Sequence, residues 1–160
     1  MINATRRIRS ARTVAIHGTL ALFAYAVLAG VQIAVLNPLA AAPGVGLEQI
    51  HADLAAAGET LGAWWALMAI GPVIGIVLLI KTWRHRPVQP RNVASVYLAL
   101  LALGAPAYFI ANFGPGMALS DTYLISGADH SPWAMPLYLT SGGAAIALVS
   151  LMVWNSVRPE

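Results

Sequence analysis

The sequence predicts an all-α integral membrane protein: a polytopic four-transmembrane-helix bundle forming one membrane domain over residues 1–160. Three observations lead there. Of the 160 residues, 59% are hydrophobic and 9% charged, far too apolar a balance for a soluble domain of this size. The apolar residues gather into runs of about 20 or more, each long enough for a helix to cross a bilayer core. The charges sort by connector. Basic residues stand at 6, 7, 9, 12, 81, 84, 86, 91 and 158, whereas five of the six acids stand at 48, 53, 59, 121 and 129. Lipid offers the backbone no hydrogen-bond partners, so each run is expected to be a helix that satisfies itself.

The N-terminal stretch carries Arg6, Arg7, Arg9 and Arg12 and reads as a cytoplasmic anchor under the positive-inside rule. The run Thr13–Leu36 is longer than a signal-peptide core, which predicts a retained first helix over 13–36. Within it Gly18, Tyr25 and Gln32 recur every seven residues and share nearly one face, the pattern of a helix–helix contact in lipid. His17 is the one ionisable side chain inside any span, near the cytoplasmic end, where it can reach water or headgroups. Asn37-Pro38 predicts the end of this helix, and Pro43-Gly44 continues the break.

Leu47, Ile50, Leu54 and Ala57 then form a helical stripe, so a short amphipathic helix is expected over 47–58 on the outer surface. The second span, 61–80, begins with Trp64-Trp65 at one interface and is followed by Trp83 at the other. Pro72 is expected to bend it, and Gly71 and Gly75 to form a small-residue face for close packing. The basic turn Lys81–Arg91 follows. The third span, 93–112, carries Pro106 as a second expected bend. Gly114-Pro115-Gly116, Gly127 and Ser131-Pro132 predict a loop over 112–132, although its apolar residues suggest that part of it folds against the bundle. The fourth span, 133–154, is bracketed by Trp133 and Trp154 and carries the small patch Ser141-Gly142-Gly143.

The chemistry available is limited. There is no cysteine, hence no disulfide or thiolate. Glu48 and His51 make one Glu-x-x-His pair, to which Asp129 and His130 could add ligands. Carboxylate-bridged bundle sites need two such pairs inside the bundle, so no metal and no cofactor is expected. The basic residues serve topology, and no nucleic-acid partner is expected. Eight Arg against one Lys, with abundant Ala, is the bias of a GC-rich bacterial genome, so a plasma (inner) membrane is expected, and the basic connectors place both termini on its cytoplasmic side. The functional expectation is a non-enzymatic membrane subunit or accessory protein whose partners are the lipid bilayer and another membrane protein, or copies of itself. The alternatives are a small transporter or channel for a neutral or apolar solute, and a membrane enzyme using the outer Glu/His/Asp cluster.

Overall fold

The computed structural model describes residues 2–84 and 89–157, with side chains from residue 9 onward. The basic residues Arg86 and Arg158, and the side chains of Arg6 and Arg7, therefore lie outside what is described. The described chain is all-helical with no strand, and four of its helical stretches are long and apolar enough to cross a membrane. It is a multi-pass membrane protein.

Helix α1 spans Ile2–Val31, passes through a π turn at Gln32–Leu36 and continues as α2, Asn37–Ala41. The first span thus does not end at Asn37-Pro38, as the breaker residues predict. In the π turn the Asn37 N–H bonds the Gln32 carbonyl, five residues back. Proline lacks an N–H, and in an α-helix its ring strikes the carbonyl four residues earlier. The wider turn removes that collision, and the chain stays helical through Pro38. Helix α3, Leu47–Ala56, buries Ile50 and Leu54 and leaves Glu48 and His51 outward. Helix α4, Trp64–Arg84, runs unbroken through Pro72.

The third span is two helices, α5 (Pro90–Ala102) and α6 (Gly104–Tyr123). The break at Leu103 has a direct cause. Pro106 cannot donate to the Ala102 carbonyl, so the α ladder loses a rung there. The larger correction lies downstream. The predicted loop motif Gly114-Pro115-Gly116 is inside α6, with Pro115 and Gly116 buried. A Cβ on Gly116 would lie 2.9 Å from the Gly127 carbonyl oxygen. The glycine lets the returning loop press on the helix; it does not end the helix. A 3-10 turn, Pro132–Ala134, leads into α7, Met135–Val157.

Helix 1 packs chiefly on α4 and α5, while α7 packs on α5 and α6. At one end the Arg12 guanidinium lies 5.0 Å above the Trp83 ring, which ties the start of helix 1 to the end of α4. Arg9, Arg12, Lys81, Arg84 and Arg91 share this end, and Glu48, Asp53, Glu59, Asp121 and Asp129 share the other. The helical stretches are unequal. Arg9–Ala41 has 33 residues and Pro90–Tyr123 has 34, against 21 for Trp64–Arg84. At about 1.5 Å per residue the long ones measure about 50 Å, well beyond a hydrocarbon core of about 30 Å. Their surplus lies at the acidic end, where Ala41, Ile50, Leu54, Ala118 and Leu119 form a small separate core.

Helix α6 closes with Leu124 in the left-handed region, φ 55°, its N–H on the Ser120 carbonyl. Its side chain is 92% exposed, so no packing holds it there. Leu124→Gly should stabilise the fold by about 1 kcal/mol in detergent unfolding, because the left-handed penalty disappears and little contact is lost. An unchanged or lowered midpoint would show that the leucine earns its place by contacts with lipid.

Candidate functional site

Polar side chains inside the bundle sit at three depths. Nearest the basic end, the Thr19 and Tyr97 hydroxyls both reach the Gly75 carbonyl, at 3.1 and 3.0 Å, and lie 2.9 Å from each other. This triangle joins helix 1, α4 and α5. Gly18 faces the Tyr97 ring so closely that a Cβ there would overlap it. A Cβ on Gly75 would meet Leu22 Cδ1 at 3.0 Å. These glycines are spent inside the protein. His17, close by in sequence, faces outward and has its Nδ1 2.8 Å from the Thr13 carbonyl, a bond within its own helix.

The middle node forms around the break in the third span. The Ala105 N–H donates to Ser141 Oγ at 2.9 Å, and that hydroxyl lies 3.3 Å from Tyr25 Oη. Ser141 of α7 thus holds one backbone donor left over by the break. Beside it is a cleft of about 190 Å³ between helix 1, α4 and the α5–α6 junction. Tyr25, Gly71, Pro72, Leu103 and Gly104 line it. Pro72 and the break before Pro106 both fall at this level, and a Cβ on Gly71 would sit at an ordinary contact distance, 3.8 Å, from Leu22.

The outer node is the densest. Asp129 Oδ1 accepts from Tyr108 Oη at 2.6 Å and from Asn112 Nδ2 at 2.8 Å; Oδ2 accepts from Tyr138 Oη at 3.0 Å. The two tyrosine rings meet edge to face, 5.7 Å between centroids. The next two residues are clamped by helix 1: Asn37 Oδ1 accepts from the His130 and Ser131 N–H groups, and Gln32 Nε2 donates to the Ser131 carbonyl. Tyr108, Gln32 and Asn37 are fully buried. Three side-chain atoms here, Gln32 Oε1, Asn37 Nδ2 and Asn112 Oδ1, have no partner among the described residues.

The metal candidates are not gathered by the fold. Glu48 and His51 stay on the solvent side of α3. Asp129 is engaged by three donors, and His130 Nε2 lies 2.8 Å from the Ser126 carbonyl. Among the described residues no three His, Asp or Glu side chains converge to hold an ion. Asp53, a further acid of that side, accepts from Gln49 and Tyr123. Sequence reasoning missed Asn37, Tyr108, Asn112 and Tyr138 as one constellation. The available signal was weak: two asparagines at the outer ends of spans facing a loop aspartate.

Comparison with protein-family models, with curated proteins and with solved structures finds no match for this chain.

Proposed function

We propose that the chain is a non-enzymatic membrane subunit or accessory protein that works by associating with another membrane protein. One observation carries the reading. Of the small-residue faces in the spans, Gly18, Gly75 and Gly104 are used inside the bundle, whereas Gly142 and Gly143 have no atom within 4 Å of a modest Cβ. They lie on the outward side of α7, flanked by Leu139 and Ile146, both about two-thirds exposed. A strip of small residues between large aliphatic ones lets a second helix approach closely in lipid. The buried polar groups of the spans support the same reading, because Thr19, Tyr25, Tyr97 and Ser141 are drawn into bonds between helices of the chain itself.

The test is gentle-detergent purification at native expression level, with Gly143→Leu compared against wild type. The variant is expected to keep the wild-type unfolding midpoint or raise it slightly, since no atom lies within 4 Å of the Cβ position and leucine favours the helix, and to lose the co-purifying membrane protein. Recovery of the same assembly from Gly143→Leu would overturn the reading.

The middle cleft favours a second reading: transport of a neutral or apolar solute by the chain alone or as a homo-oligomer. Flux in proteoliposomes containing only this protein, blocked by Gly71→Leu, would promote it over the first.

For location, we infer the plasma (inner) membrane of a bacterium, with both termini and the Lys81–Arg91 turn cytoplasmic. The separation of basic and acidic ends supports this orientation. Since the chain has no cysteine, single introduced cysteines report it cleanly. A cysteine at Ser120 is expected to react with an impermeant reagent in intact cells, and one at Arg84 only after permeabilisation. The opposite pattern would invert the topology.

A further inference from the structure

At the basic end α4 and α5 part around a groove of about 330 Å³, lined by Leu78 and Lys81 on one side and Asn92, Val93, Val96 and Tyr97 on the other. Its chemistry changes along its length. Val93 and Tyr97 are buried and form the floor, with Leu78 and Val96 as apolar walls. Lys81 lies one helical turn beyond Leu78, and Asn92 one turn before Val96, so over about 5 Å the lining passes from hydrocarbon to an ammonium and an amide. Trp83, under the Arg12 guanidinium, marks the same level as the membrane interface. All five acidic residues whose side chains are described lie at the opposite end of the bundle, so none of them can neutralise Lys81. Arg84 and Arg91 add positive charge within a turn or so.

We propose that this groove binds an anionic phospholipid, with an acyl chain against Leu78, Val93 and Val96 and the phosphodiester between Lys81 and Asn92. The charge selects the headgroup, because a basic residue at a membrane surface favours anionic over zwitterionic lipid. The groove selects the site, because an apolar slot continuous with the ammonium distinguishes one bound lipid from a diffuse cloud of them. The assignment does not depend on which membrane protein, if any, the chain associates with.

The test reconstitutes the full chain in bilayer discs containing phosphatidylcholine and phosphatidylglycerol. Native mass spectrometry after release then counts each lipid retained per chain. Wild type is expected to keep phosphatidylglycerol over phosphatidylcholine. Lys81→Gln should lower that preference about fivefold. Val96→Trp, which fills the groove and leaves every charge in place, should abolish retention of both lipids. Arg9→Gln, a charge at the same end but outside the groove, should change little. Lys81 is exposed and its replacement leaves the fold intact, so that variant decides the matter even if Val96→Trp misfolds. Equal retention of the two lipids by wild type overturns the proposal. So does an Arg9→Gln loss as large as that of Lys81→Gln, which would indicate surface charge alone. Displacement of the lipid by inorganic phosphate overturns it too, and would indicate a site for a soluble anion.

Discussion

Gly18→Leu is expected to destabilise the bundle by about 3 kcal/mol or more, the sum of overpacking and of hydrogen bonds pushed out of line. The sign is the informative part. In a helix considered by itself, leucine is favoured over glycine by somewhat under about 1 kcal/mol, so a lipid-facing Gly18 would give a small gain. Here the new side chain would occupy the position of the Tyr97 ring, which is 3% exposed and held by hydroxyl bonds to Thr19 and Gly75. The ring cannot swing aside without giving up both. Removing the obstacle should repair the damage: Gly18→Leu with Tyr97→Ala should be less destabilised than the two single losses added together. Unfolding in detergent measures all three. A neutral Gly18→Leu would mean that helix 1 and α5 do not meet at this position.

Asp129→Ala should cost about 3 to 5 kcal/mol, most of it from the buried donors of Tyr108 and Asn112 left with nothing to bond. Tyr138, the third donor, is partly open to its surroundings and contributes least. Asp129→Asn keeps an oxygen for Tyr108 and Asn112 and turns an amide toward Tyr138, whose hydroxyl can rotate to accept from it. That variant should cost about 1 kcal/mol. The expected order of midpoints is therefore wild type, Asn, then Ala. If Asn and Ala are equally damaging, it is the negative charge that matters, and the hydrogen-bond geometry is incidental.

Sequence reasoning reached the four spans because the bilayer imposes a length and an absence of charge, and both can be counted. The Gly18, Tyr25 and Gln32 spacing could be read as one face because an undisturbed helix repeats every 3.6 residues. Sequence reasoning failed at the helix ends. Asn37-Pro38 and Gly114-Pro115-Gly116 read as breakers, which is what proline and glycine do when the freed carbonyl has no better arrangement. In the folded chain the π turn accommodates Pro38, and the contact with Gly127 explains Gly116. Both depend on segments distant in sequence or on a change of helical register, and local pattern carries neither. The Asp129 node was hidden for a related reason. Its partners are Tyr108 and Asn112 of α6 and Tyr138 of α7, with Gln32 and Asn37 holding the next two loop residues, and each stands in an apolar neighbourhood. The loop between α6 and α7 brings them together.

The π turn also has a meaning in terms of residue count. Between Gln32 and Leu36 the first helix holds one residue more than an ordinary α-helix would need for the same advance. Straightening that turn into a regular α ladder with every residue kept would carry the chain one residue further around the axis. Everything beyond it would then turn by about 100° about the helix axis. Asn37 would leave His130 and Ser131, and Pro38 would face a fresh collision with the carbonyl four residues before it. The extra residue acts as a phase shifter. It divides helix 1 into a stretch in register with the membrane-embedded helices and a stretch in register with the outer core, and a homologous chain with a regular ladder over the same residues would have to find another way to seat its loop.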